Sequence, residues 1–373
     1  MTVTLQLSQR ISRLAPLADV LALVDVQTGP VAPRESAIAA AQGHVLAADI
    51  ALETSLPPHA IALRDGYAVR SDWSLDASSY APAMLPSMPV RLDAGAKLPG
   101  DTDAVAPFDA VEADAGGAWM TMTVAPGDGV LPAGADGKVG DILLRAGTRL
   151  DARHVALLVA AGVPQVSVRA PRIRFVTAKP DGSGMIAGAT AMLARDIESR
   201  GDRRPNGAIS FADALRDDEC DAVVAIGGTG SGRDDHAVTS LAEAGKVSFH
   251  GIGISPGETA ALGFAGARPV LLLPGRLDAA LAAWLLIGRG IMARLAGTAD
   301  NERSWPATLS RKISSAIGLA EAVPVRCEGG QAEPLATGYW PLHALARADG
   351  WILIPADSEG CPAGTRVEVR PLP

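Results

Sequence analysis

Ala222-Val223-Val224-Ala225-Ile226-Gly227-Gly228-Thr229-Gly230-Ser231-Gly232-Arg233-Asp234-Asp235 is the stretch that decides the fold. Its apolar opening, bounded by glycine, reads as a buried strand, and the residues beyond it to about 244 read as a helix. Glycines crowded at a strand end let backbone N–H groups converge on an anion, and the following helix start adds partial positive charge. Gly227, Gly228, Gly230 and Gly232 are therefore candidate anion binders, with Thr229 and Ser231 as hydroxyl donors. The spacing is neither that of a Walker loop, which ends in Gly-Lys-Ser/Thr, nor that of a dinucleotide fingerprint.

Working outward, strands and helices alternate. Residues 173–177 read as a strand and 186–199 as a helix; 247–254 and 270–273 read as further strands, and 277–295 as a long helix. Such alternation implies a mostly parallel sheet in a three-layer α/β domain. Two more turns follow strands: Ser255-Pro256-Gly257-Glu258 and Leu273-Pro274-Gly275-Arg276. In a parallel sheet all three loops reach one edge, where ligands bind in open α/β folds. Pro256, Gly257, Pro274, Gly275 and Arg276 thus join the candidate binding residues. Arg276, at a helix start, suits a phosphate or carboxylate.

The flanks differ in texture. Leu17, Val20, Leu21 and Val24 recur at helical spacing before Gly29-Pro30, and residues 35–47 read as a second helix. From 56 to 141 short alternating runs such as 90–92, 119–124 and 142–144 are broken by Gly, Pro and Asp, the pattern of a β-rich insertion. Asp151 caps a short helix that Gly162 ends. Past Pro306, short strands at 308–313, 323–327, 351–354 and 367–370 make a small all-β domain.

Composition narrows the function. The 373 residues carry 33 Lys and Arg against 41 Asp and Glu, a net charge of −8, which argues against a general nucleic-acid binder. With 48% apolar and 20% charged residues the chain is globular in composition. The 4% aromatic content leaves few stacking platforms for single strands. Cys220, Cys327 and Cys361 have no metal or disulfide spacing, and the first 13 residues lack a signal-peptide run, so a cytoplasmic protein is expected. The longest apolar run, 279–288, is cut by Arg289, short of the roughly 20 residues of a membrane span. His59, His154, His236 and His250 have no metal-like spacing; His236 reads as a helix-start residue and Cys220 as a buried thiol.

Residues 43–50 (Gly-His-Val-Leu-Ala-Ala-Asp-Ile), Leu56-Pro57-Pro58 and Asp65-Gly66-Tyr67-Ala68-Val69-Arg70 resemble the molybdopterin molybdenumtransferases, the MoeA family, which includes the C-terminal domain of gephyrin. The resemblance continues in order through Ala94-Gly95-Ala96-Lys97-Leu98-Pro99, Gly140-Asp141-Ile142-Leu143, the glycine loop, both Pro-Gly loops and the β-rich tail. It implies a linking segment (1–50 and 141–170), a β-rich insertion domain (51–140), a central α/β molybdopterin-binding domain (171–298) and a C-terminal small β-barrel (299–373). It also implies insertion of molybdenum from molybdate into adenylylated molybdopterin with release of AMP, aided by a divalent cation such as Mg2+. Family dimers share a cleft between one subunit's α/β domain and the other's insertion, so a homodimer is implied. A molybdopterin adenylyltransferase or a client molybdoenzyme is an implied partner. A non-catalytic paralogue that binds and delivers the cofactor is the alternative.

Carried over residue by residue, the resemblance makes Asp65, Asp136 and Asp235 the catalytic carboxylates, with Asp65 and Asp235 holding the metal. Several positions depart from the family pattern. Thr-Gly-Asp-Glu reads Thr177-Ala178-Lys179-Pro180, Gly-Glu-Asp reads Gly134-Ala135-Asp136, and Ser-Asn-Ser reads Gly188-Ala189-Thr190. Lys-Pro-Gly-Lys-Pro reads Ser255-Pro256-Gly257-Glu258-Thr259, and Pro-Gly-Asn-Pro reads Pro274-Gly275-Arg276-Leu277. Ser-x-Met ahead of Asp65 reads Ala62-Leu63-Arg64. Glu258 would repel a phosphate, with Arg64 and Arg276 placed to offset it; Arg64, Arg233 and Arg276 are the arginines expected on the cleft. Each lost charge-assisted contact costs about 1.5–3 kcal/mol.

Overall fold

The computed structural model describes residues 9–179, 184–203, 209–299 and 303–373. Position 180, where the family pattern has Glu and this chain has Pro, lies outside them. The chain divides into two units, residues 1–48, 146–159 and 163–373, and residues 49–145 with 160–162.

In the first unit a six-stranded sheet runs Asp202–Arg203, Arg172–Thr177, Ala222–Ile226, Arg268–Leu273, Ala261–Ala265, Lys246–His250. The first four strands pair in parallel and the last two add antiparallel. Ala222–Ile226 is buried at every residue, as a strand covered on both faces must be. One face packs against Leu17–Gln27, Met185–Glu198 and the helical stretch from Leu277, the other against Phe211–Arg216 and Ala237–Ala244. These are the three layers that the alternation implies.

Two local readings are corrected. Residues 35–47, expected as a helix, contribute strands Arg34–Ala37 and Val45–Leu46, both paired with Gln165–Arg169. Gly43, at φ 85°, turns the chain between them, and this long-range pairing overrides the local preference of the alanines for helix. Residues 247–254, expected as one parallel strand, break at Gly251 (φ 89°). Lys246–His250 pairs antiparallel with Ala261–Ala265, while Ile254–Ser255 pairs with Ala320 and Glu321 of a different sheet.

Leu277–Ala283 continues through a wide π-helical turn, Trp284–Gly288, into Arg289–Ala296. The helical stretch Leu277–Ala296 is 20 residues long with a mean hydropathy of 1.5, enough to cross a membrane and longer than the apolar run read from sequence. Yet 89% of that apolar window is buried inside the protein, where it forms the core helix of the α/β layer. Arg289 does not end it because the Asp196 carboxylate accepts two bonds from its guanidinium, both 3.0 Å, and one from the Trp284 indole at 2.6 Å.

Strands Trp305–Leu309, Ala320–Glu328, Gln331–Pro334, Gly350–Ile354 and Arg366–Pro371 close into a five-stranded barrel, sealed by pairing of Ala320–Glu328 with Gly350–Ile354. Closure removes the free edges that a small sheet would expose.

The second unit is built from short antiparallel strands. Gly66–Val69 lies between Val90–Leu92 and Ala104–Ala106, and Gly117–Met120 between Ala83–Met84 and Val111–Asp114. Gly66 is demanded by close approach: a Cβ there would sit 2.2 Å from the Ala106 carbonyl oxygen.

Candidate functional site

Parallel pairing of Thr177 with Ile226 and of Ile226 with Leu273 brings three strand ends into line. The segments beyond them enclose a cavity of about 480 Å3 within the first unit. Residues 227–230 and Asp235 line it from the first loop, 257–259 from the second and 274–276 from the third, with Lys179 from the turn after Arg172–Thr177. Ser231, Gly232 and Pro256 lie outside the lining. The second loop reaches the cavity although no parallel strand delivers it, because Gly251 N–H to the Ala260 carbonyl (3.1 Å) and Ile252 N–H to the Glu258 carbonyl (3.0 Å) fold it back.

Geometry explains the glycines. Gly227 and Gly228 adopt φ of 90° and 72°, the left-handed region that side chains rarely occupy. The Gly227 N–H donates to the Leu273 carbonyl (2.9 Å), locking the first loop to the strand that leads into the third. Among the described residues the N–H groups of Gly228, Thr229 and Gly230 have no protein partner, which leaves them available to an anion. The Thr229 hydroxyl lies 3.1 Å from that of Thr259 and bridges the first and second loops.

Asp235 is held from within. Its Oδ1 accepts from Lys179 Nζ at 2.9 Å and its Oδ2 from the Gly232 N–H at 3.0 Å. Burial pushes the Asp235 carboxyl up, but the bonds from Lys179 and Gly232 outweigh it and hold it below the usual carboxylate range. The hydrogen bond to Asp235 raises Lys179 in turn. Part of the glycine loop is thus shaped around an internal carboxylate: a Cβ at Gly230 would come within 2.7 Å of Asp235 Oδ2.

The Arg276 guanidinium grips Asp278 through Nε (3.0 Å) and Nη2 (2.7 Å) and lies over the Tyr339 ring, with its centre 5.2 Å from the centroid. The bond to Asp278 raises its pKa further, so it is a permanent charge. Glu258 lines the same cavity and accepts from the Gly257 N–H at 3.1 Å.

Asp65 and Asp136 belong to the second unit and are both exposed. Asp65 Oδ1 accepts from the Ala94 N–H at 2.7 Å, and the Asp136 N–H donates to the Leu56 carbonyl at 2.8 Å. Arg64, expected to offset Glu258, meets Asp128 (2.8 Å) and the Val105 carbonyl (2.6 Å) inside the second unit. Arg233 is exposed and outside the cavity lining. Of the three arginines only Arg276 lines the cavity.

A divalent cation does not fit the described residues around Asp235. Both of its oxygens are engaged by the protein, and no group of three His, Cys, Asp or Glu close enough to hold a metal occurs among the described residues. Other contacts escape a reading by motif. Gln9 Nε2 donates to the carbonyls of Gly228 (2.6 Å) and Gly230 (2.8 Å), and His250 Nε2 donates to that of Thr229 (3.0 Å). The glutamine is 219 residues from its first partner, and no local pattern announces such a clamp. His236 precedes Ala237–Ala244 as its N-cap residue, and Cys220 is buried, both as read.

Comparison with known proteins agrees along the chain. The MoeA N-terminal region (domain I and II) matches residues 14–162, the probable molybdopterin binding domain 200–294, and the MoeA C-terminal region (domain IV) 306–372. A molybdopterin molybdenumtransferase of Haemophilus influenzae is 25% identical over 89% of this chain and 92% of its own length. Molybdopterin molybdenumtransferase 2 of Mycobacterium tuberculosis is 24% identical over 88% and 92%. A solved molybdopterin biosynthesis MoeA protein of Pyrococcus horikoshii superposes with a TM-score of 0.71 at 25% identity, covering 96% of this chain and 100% of that one. In its order of domains, its α/β layer and its closed terminal barrel, the chain belongs to the MoeA family of molybdenum cofactor biosynthesis proteins.

Proposed function

We propose that the three-loop cavity receives the pyrophosphate-bearing part of adenylylated molybdopterin, and that the chain acts at molybdenum insertion. In this reading the metal of molybdate enters the dithiolene and AMP leaves. The observation that carries it is the convergence on one cavity of about 480 Å3 of three loops, a cluster of N–H donors without a partner among the described residues, and the cations Lys179 and Arg276. A pyrophosphate needs such donors. Gly228, Thr229 and Gly230 would cradle its oxygens, and the planar Arg276 fork, already braced by Asp278, would hold a phosphoryl group from the third loop. Asp65 and Asp136, both exposed residues of the second unit, would complete the cavity of a second copy in a homodimer, with an adenylyltransferase supplying the substrate.

A second reading, binding and delivery of the cofactor to a molybdoenzyme without turnover, is favoured by Glu258 in the cavity and by the engagement of Asp235 with Lys179. Incubation of the purified protein with adenylylated molybdopterin and molybdate separates the two. Release of AMP supports the first, retained pterin without AMP supports the second, and failure to retain pterin rejects both.

A further inference from the structure

We propose that Lys179 supplies in this chain the positive charge that a divalent cation would otherwise bring to the loop cavity, so that phosphate groups bind there without metal. The proposal rests on the reading of the cavity as a pyrophosphate site.

Lys179 stands two residues past the end of Arg172–Thr177, where the family pattern has acidic residues. Parallel pairing with Ala222–Ile226 sets that turn directly over the glycine loop: a Cβ at Gly227 would lie 3.3 Å from the Lys179 Cβ. The ammonium thereby meets Asp235 Oδ1 at 2.9 Å, the carboxylate that the family resemblance assigns to the metal. The other oxygen, Oδ2, is closed off by the Gly232 N–H and by the near approach of Gly230. A hydrated cation seeking Asp235 would have to displace both.

Charges at the cavity are paired locally. Among the described residues the other cation that lines it, Arg276, is matched by buried Asp278, and Glu258 adds a further negative charge. Lys179 is what offsets Asp235 locally. An ammonium has three N–H donors; one serves Asp235, and with 32% of the side chain exposed the others can reach oxygens entering the cavity.

The test is calorimetric titration of the full chain with inorganic pyrophosphate in EDTA, together with Mn2+ titration followed by electron paramagnetic resonance. Wild type is expected to bind pyrophosphate in EDTA and to take up no Mn2+ through Asp235. Lys179→Ala should weaken pyrophosphate tenfold or more, and Lys179→Arg should keep it within about threefold. Asp235→Asn is the second arm: it frees the ammonium and should bind pyrophosphate at least as tightly as wild type. Loss of binding in Asp235→Asn, undiminished binding in Lys179→Ala, or an Asp235-dependent Mn2+ site in wild type overturns the proposal. Binding that appears only with added Mg2+ also overturns it while leaving the pyrophosphate site intact. Absence of binding with and without metal overturns both.

Discussion

The hydroxyls of Thr229 and Thr259 lie 3.1 Å apart, and Thr229 is 2% exposed, so a half-buried contact ties the glycine loop to the loop that carries Glu258. Thr229→Val keeps the shape and strands the Thr259 hydroxyl. The expected loss is about 1–2 kcal/mol in urea unfolding. Replacing both threonines by valine removes both polar groups, and such paired replacement is far less costly than leaving one partner unmet. The double variant should therefore recover much of the loss, and a double-mutant cycle with no coupling would remove the contact from the account.

The Asp196 carboxylate serves the indole N–H of Trp284 and the guanidinium of Arg289, whose side chain is 2% exposed. Burial pushes this carboxyl up, yet Arg289 and Arg200 prevail and hold it below the usual range. Asp196→Ala removes an anionic partner that a buried guanidinium meets through two bonds, a change that typically costs about 3–5 kcal/mol. Chemical denaturation should show the midpoint falling without change in slope. A shift corresponding to less than about 1 kcal/mol would mean that water or a shifted backbone replaces the carboxylate.

How much of this was legible differs by distance along the chain. The glycine loop, the strand before it and the Pro-Gly turns declare themselves locally, and the parallel sheet follows from their alternation with helices. The Lys179–Asp235 pair does not, because its partners are 56 residues apart and meet only through the neighbouring positions of two strands. Arg64 has partners that a motif misses in the same way: Asp128 and the Val105 carbonyl, which no spacing rule links to it, hold it. Residues 35–47 mislead for a related reason: their alanines favour helix, while the strand Gln165–Arg169 decides the outcome from far away.

Acid sensitivity should be traceable to Asp202. Hydrogen bonds from His44 and Arg34 lower its carboxyl to about 2 against burial, which acts to raise it. A carboxylate depressed on folding stabilises above its unfolded pKa and loses that stabilisation as pH falls toward the folded value. The window is therefore about pH 5 down to 2. Because its side chain is 39% exposed, solvent screening reduces the contribution to about 1 kcal/mol. Unfolding measured at pH 7 and pH 3 should show Asp202→Asn less stable than wild type at pH 7 and the gap narrowed at pH 3. A gap that does not change with pH would assign the effect to packing.

Glu258 offers the most direct test of how the cavity treats an anion. Its carboxylate lines the cavity beside Arg276 while one oxygen accepts from the Gly257 N–H at 3.1 Å. Glu258→Gln keeps an acceptor for that N–H and deletes one negative charge facing the ligand. Two like charges a few ångströms apart near a protein surface repel by about 1 kcal/mol or more. Pyrophosphate affinity should therefore rise about fivefold, and the gain should shrink in 0.5 M salt as the Debye length falls to roughly 4 Å. A gain that persists undiminished in salt would indicate a change in loop shape rather than relief of repulsion. No gain at any salt concentration would place the ligand's phosphates away from Glu258, on the glycine loop alone.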